Sequence, residues 1–275
     1  MKELFVNLVA ERLRTERKKL QKQFHAQKDE ITTRYFVADN LLPEEMCRAI
    51  YKAFPPVSEM RLISSFREKK YTSKALDRFP PILADATFAF QASEVIAEIE
   101  HICSFNDLRA DPSLYAGGIS VMKKDNFLNP HIDNSHDGER QFYRVLNLLY
   151  YVSPDWQVDL GGNLELWDSK VRKRLEVPSL FNRLVVMETN RSSYHSVNPV
   201  RTDRIRCCVS NYYFQNFSLE LEDYFHITEF IARPEQPVVR SLSKWDNTVR
   251  TLVRHIFKQG LGKKDVYQGF SAEDK

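Results

Sequence analysis

The spacing of apolar and polar positions changes along this chain. Over residues 1 to about 30, Leu4, Leu8, Leu13, Leu20 and Phe24 are irregular apolar anchors among charged residues, with a basic cluster from Arg12 to Lys22. That pattern predicts a charged helix packed on the domain or on another subunit. Tyr35–Asp39 suggests a strand, Pro43–Tyr51 opens a helix with proline near its first turn, and Ala92 to Phe105 forms another helix. From Gly118 the runs become short and rich in β-branched and aromatic residues, predicting strands at Gly118–Met122, Leu146–Val152 and Arg204–Phe214. In the middle run, alternation puts Asn147, Leu149 and Tyr151 on one face and Leu146, Leu148 and Tyr150 on the other. Near the end, Trp245, Val249, Leu252, Val253, Ile256 and Phe257 recur at helical spacing, largely opposite Arg250, Arg254 and Lys258. Gly260 and Gly262 suit the end of that helix.

These patterns divide the chain into a charged N-terminal helix (1–34), a mixed and then mainly β domain (35–221, with its core at about 115–215) and a C-terminal helical extension (222–275). A chain of 275 residues can bury a substantial core, and 43% hydrophobic with 28% charged residues is ordinary globular composition. The net charge of +3 gives no warrant for nucleic-acid binding. No run is apolar enough to span a bilayer, and the N-terminus lacks a convincing signal-peptide core. Cys47, Cys103, Cys207 and Cys208 show no framework spacing, and adjacent Cys207 and Cys208 would face opposite sides of a strand, so a reducing, cytoplasmic setting is expected. The C-terminal helix could pack on the core, form a dimer contact or lie on an anionic membrane surface; the oligomeric state stays open.

The chemistry concentrates at His131-Ile132-Asp133, followed far along the chain by His195. In an extended segment, residues i and i+2 point to the same side, so His131 and Asp133 can reach one ion while Ile132 faces away. Two imidazoles and one carboxylate leave open coordination positions, the facial arrangement associated with non-haem iron(II) oxygenases. With seven His in the chain, His-x-Asp by itself carries little weight; the strands around it carry more. Arg204, at the start of the last strand, is well placed to fork onto a carboxylate that also chelates the metal. His136 lies in the turn-like Asn134–Gly138 segment and is an alternative ligand without the i+2 geometry. Gly161-Gly162 supplies a turn whose backbone conformations side chains would disfavour.

These landmarks, in order, are His131-Ile-Asp133-Asn134, Arg140, Leu149-Tyr-Tyr151, Asp155-Trp156, Gly161-Gly-Asn-Leu164, Phe181-Asn-Arg-Leu-Val185, His195-Ser-Val-Asn-Pro199, Arg204 and Asn211-Tyr-Tyr-Phe214. The segment from about Gly118 to Phe214 resembles the catalytic core of prolyl 4-hydroxylase-like iron(II)/2-oxoglutarate-dependent dioxygenases. The resemblance implies a double-stranded β-helix, or jelly roll, with flanking helices and a metal near one mouth of the barrel. It makes His131, Asp133 and His195 the iron ligands and assigns Arg204 to the distal carboxylate of 2-oxoglutarate. Tyr151 would hydrogen-bond that carboxylate, with Tyr150 as its adjacent competitor. Arg206 departs from the pattern: it is either solvated at a bulged or fraying strand end or, with Arg140, a contact to substrate.

The implied reaction is hydroxylation of an unactivated C–H bond by oxygen, with 2-oxoglutarate converted to succinate and carbon dioxide and ascorbate as a candidate reductant. The resemblance favours a prolyl, peptidyl or amino-acid-like substrate. A sugar, a lipid-linked glycan or a natural product is the alternative, and a non-catalytic or non-oxidative metal-binding barrel belongs to another class altogether.

Overall fold

A computed structural model describes residues 1–26, 30–220, 223–236, 240 and 267. Four helices carry the outer layer: α1 (Lys2–His25), α2 (Glu44–Lys52), α3 (Pro81–Ala89) and α4 (Ser93–Cys103). The strands that precede the barrel are β1 (Tyr35–Asp39), β2 (Arg61–Ser64), β3 (Glu68–Ser73) and β4 (Arg109–Ala110). Those that build it are β5 (Gly118–Met122), β6 (Phe127–Ile132), β7 (Tyr143–Tyr151), β8 (Leu164–Trp167), β9 (Arg174–Val177), β10 (Arg183–Glu188), β11 (His195–Val197) and β12 (Arg206–Gln215). A short β13 (Glu229–Phe230) adds to β6.

All the strand pairings are antiparallel, in the order β1-β10-β7-β12-β5-β3-β6-β11-β8-β9. The first half is the larger face and the β6-β11-β8-β9 half the smaller one, so the curled sheet is a jelly roll. Strand β3 joins the halves, pairing β6 through Glu68 and Lys69 and β5 through Tyr71, Thr72 and Ser73.

Alternation along the larger face sorts its side chains. Leu146, Leu148, Tyr150, Leu184, Val186, Cys207 and Val209 point outward into one core shared with the helices. Tyr151, Val185, Met187 and Cys208 point inward and meet Leu164, Leu166 and Val177 of the smaller face. Helix α1 is part of the outer core: Phe5, Val6, Val9, Ala10, Leu13, Leu20 and Phe24 are buried on one stripe. Leu4, expected among its anchors, is 51% exposed, because the stripe in the first turns runs through Phe5 and Val9. A buried Glu98 on α4 ties the two helices, receiving Arg14 at 2.8 Å and Arg17 at 2.6 Å.

The strand expected at Arg204–Phe214 begins two residues later, at Arg206, after bends at residues 202–204. Among the described residues no helix is long and apolar enough to cross a membrane. The amphipathic helix expected near residues 243–258 lies outside the described residues.

Leu20→Ala, which empties a fully buried position of α1, is expected to lower unfolding free energy by about 2–5 kcal/mol. Leu4→Ala should stay within about 0.5 kcal/mol of the parent. Urea denaturation of both variants checks the assignment of the buried stripe.

Candidate active site

The end of β6 and the start of β11 bring His131 and His195 opposite each other in the sheet. Asp133 follows two residues after His131, and one ligand atom from each of the three lies within 4.8 Å of the others. The closest approaches are His131 Nε2 to Asp133 Oδ1, 3.5 Å, and His195 Nε2 to Asp133 Oδ2, 3.6 Å. Each ring donates its Nδ1–H to the carbonyl two residues earlier, His131 to Asn129 at 3.0 Å and His195 to Ser193 at 2.9 Å. A carbonyl can only accept, so both tautomers are fixed with the Nε2 lone pair free and turned to the cluster. Burial, with His131 adding to it, pushes the His195 imidazole down to about 4, so it is neutral at pH 7. Burial alone would raise the Asp133 carboxyl, but Arg144 and the two imidazoles outweigh it and hold it well below the usual range. Two imidazoles whose Nε2 atoms face the cluster and a carboxylate, all buried or nearly so, make a donor set that suits a divalent iron ion.

The neighbours of Asp133 come from β7. Asn147 donates to Asp133 Oδ2 at 2.5 Å, and Arg144 Nη1 lies 3.4 Å from the same oxygen. Simple alternation from Asn147 would send Arg144 outward. The β7–β12 register, however, passes from Tyr213 opposite Leu146 to Phe214 opposite Arg144, leaving Val145 as an extra residue. Val145 joins the outer core beside Leu146, and Arg144 turns inward. Arg144 is 2% exposed, stands 4.3 Å over the Tyr212 ring, and has no hydrogen-bond partner at Nε or Nη2. Its position opposite an aromatic strand was the only signal in the sequence, and the bulge that aims it is not written there.

At the other end of the same strand pair lies a second buried cation. Arg206 is 3% exposed and stacks 4.6 Å over the Tyr151 ring, its Nη1 donating to Met122 Sδ at 3.5 Å. Arg206 Nε and the Tyr151 hydroxyl have no hydrogen-bond partner. Burial raises the Tyr151 phenol above its ordinary value, opposed by Arg206, so it stays a neutral donor. Gly162, at φ +69°, leaves room for this side chain: a Cβ there would come within 2.8 Å of Arg206 Cδ. Trp156, bonded through Nε1 to Gly161 O at 2.9 Å, packs with Met122, Val197 and Val200.

Arg204 is not in this site. It is exposed and donates to the main-chain oxygens of Asp155, at 3.1 Å, and Pro154, so Arg206 takes the interior position for which Arg204 was expected. Buried as it is, Arg206 is not solvated at a fraying strand end. Of the adjacent tyrosines, Tyr151 faces inward, while Tyr150 turns to the outer core and donates to Asn182 Oδ1 at 2.8 Å. Arg140 is held over Phe225, 4.0 Å from the ring centroid, on the loop before β7. His136 is engaged by Ser135 Oγ at 2.7 Å and packs on Tyr143, away from the three-residue cluster.

Residues 117–214 match the family model of the 2OG-Fe(II) oxygenase superfamily. A stretch of 87 residues is 34% identical to prolyl 3-hydroxylase OGFOD1 of Mus musculus, covering 29% of this chain but only 15% of that protein. Two solved structures share the fold. The non-heme alpha-ketoglutarate-dependent carbocyclase SnoK from nogalamycin biosynthesis superposes with a TM-score of 0.52 at 12% identity, over 81% of this chain and 89% of that one. A prolyl 4-hydroxylase structure from Phytophthora capsici gives a TM-score of 0.50 at 14% identity, over 92% and 80%.

Removing any one of the three donor side chains, as in His131→Ala, Asp133→Ala or His195→Ala, is expected to abolish stoichiometric iron(II) binding in anaerobic calorimetry. Asn147→Ala leaves the donors in place and should weaken binding by about 10–100-fold, as loss of an outer hydrogen bond does.

Proposed function

We propose that this protein is an iron(II)- and 2-oxoglutarate-dependent dioxygenase that hydroxylates an unactivated C–H bond. The observation that carries the reading is the pairing of a three-donor cluster, built on β6 and β11, with a buried Arg206–Tyr151 pair on β12 and β7 whose guanidinium Nε and phenol hydroxyl have no hydrogen-bond partner. In this reading His131, Asp133 and His195 hold iron(II), and Arg206 with the Tyr151 hydroxyl receives the distal carboxylate of 2-oxoglutarate. A buried guanidinium beside a neutral phenol is preorganised for a carboxylate and, lacking one, leaves donors unsatisfied. When bound, iron(II) would activate dioxygen, the oxidant, with one oxygen atom going to succinate as 2-oxoglutarate loses carbon dioxide and the other to the hydroxylated carbon.

The chain's own residues do the positioning. Asn147 and Arg144 fix and neutralise the Asp133 carboxylate, and the Asn129 and Ser193 carbonyls set both imidazoles. The free Nε and Nη2 of Arg144 offer donors to a substrate carbonyl or carboxylate next to the metal, which supports a peptidyl or amino-acid-like substrate. The partial match to a prolyl 3-hydroxylase supports the same choice. Four free, buried cysteines support a reducing, cytoplasmic setting.

Single-turnover succinate formation tests the assignment. Arg206→Ala should raise the 2-oxoglutarate requirement by roughly 30-fold or more, since a buried charge pair truncated on one side loses about 2–5 kcal/mol. Arg204→Ala should leave it within about twofold of the parent, because exposed contacts of this kind are weak. Arg144→Ala should keep 2-oxoglutarate affinity while losing substrate-stimulated turnover. No succinate from folded, iron-loaded protein would overturn the reading.

A further inference from the structure

The smaller sheet has a second built cavity on its outer face, one layer behind the metal cluster. Between Leu128 and His131 the β6–β11 register shifts, so both of these face the interior while Asn129 turns outward. Asn129, Glu165 of β8, Arg174 and Glu176 of β9 and Asn198 then line a cavity of about 290 Å³, flanked by Arg233 and Glu235.

Its unspent groups are acceptors. Asn129 is 3% exposed; its amide nitrogen donates to Phe66 O at 2.9 Å, while its Oδ1 has no hydrogen-bond partner. Glu165 is fully buried. Its Oε2 accepts from Arg233 at 2.5 Å and Ser196 at 2.6 Å, while Oε1 makes no hydrogen bond and has only an ion-pair contact with Arg174 Nε at 3.1 Å. Glu176 Oε1 already takes Asn163 and Asn198 amides. Arg174 is shared between Glu165 and Glu235, and Arg201 is exposed at the cavity. Buried oxygens without donors destabilise the fold by the desolvation they suffer, so a group rich in N–H donors is what the cavity lacks. A divalent metal does not fit, because the described residues bring His, Cys, Asp and Glu donors together only at the barrel cluster. Arg174 and Arg233 are engaged by carboxylates and Arg201 is exposed, which leaves no buried, unengaged cation for an anion to meet.

We propose that this outer cavity is a binding site for a primary ammonium group carried on an alkyl stem, either a small alkylamine or a lysine side chain. An ammonium is compact and offers three donors. Asn129 Oδ1 and Glu165 Oε1 are its acceptors.

Calorimetry of the full chain with 1,4-diaminobutane and with an acetylated, amidated Gly-Lys-Gly peptide tests the site, with N-butylacetamide as the neutral control. Saturable binding of either amine, none of the neutral amide, and retention of binding in His195→Ala are expected. Binding of the peptide identifies a lysine side chain as ligand, and binding of the diamine alone identifies a small amine. Glu165→Gln should weaken binding at least tenfold. Asn129→Asp, which adds charge where the free oxygen lies, should strengthen it at least threefold and serves where Glu165→Gln unfolds the chain. Failure of both amines to bind at 10 mM, or unchanged affinity in folded Asn129→Asp, overturns the proposal.

Discussion

Side-chain alternation along the β7–β12 ladder governs this molecule, because the same two strands separate the helical core from the barrel interior and carry both ends of the site. Outward residues of β7 and β12 bury Leu146, Leu148, Tyr150, Cys207 and Val209 against the helices. Inward residues place Tyr151 with Arg206 at one end and Asn147 at the other, where it meets Asp133. Slipping this ladder by one residue would send every apolar side chain into the polar cavity and every site residue into the core. Packing of α1, α3 and α4 on the outer face therefore specifies the site indirectly, since it is the large apolar contribution that makes one register far more favourable than the next.

Two irregularities refine that rule. The extra residue at Val145 turns Arg144 to Asp133, and the register shift in β6 turns Asn129 away from the ligands while its carbonyl still holds His131. Both bulges sit on strands that carry site residues, where a regular ladder would have supplied the wrong face. Arg144 and Arg206 are buried with donors unspent, an arrangement that costs folding free energy and persists only because surrounding strands hold it.

Much of this was legible in the residues themselves. His131-x-Asp133 could be read because i and i+2 of a strand share a face, and the alternation in Leu146–Val152 separated Tyr151 from Tyr150. The helix expected at Pro43–Tyr51 from a proline near its first turn is Glu44–Lys52, and the one expected at Ala92 to Phe105 is Ser93–Cys103. What misled was local backbone geometry that pattern does not encode. The bends before β12 move the first inward arginine from Arg204 to Arg206, and a bulge reverses the side that Arg144 faces. In α1, charged residues interrupt the apolar stripe, so Leu4 was read as an anchor although it is exposed, while Phe5, which was not, lies in the core.

The pairing of β1 with β10 has a consequence for how such a chain is made. Phe36 lies opposite Val186, ~150 positions later, so β1 leaves a ribosome well before its partner strand. At about 5–20 residues per second the interval is on the order of ten seconds. Until β10 pairs with it, the facing backbone edge of β1 is unpaired, the kind of surface that invites association between chains. Helix α1 precedes the strand and contributes Gln23, whose side-chain oxygen accepts the Val37 amide N–H at 2.8 Å. The Val37 N–H faces away from β10, so Gln23 covers a donor on the outer edge of β1, where the larger sheet ends and an added strand would otherwise pair.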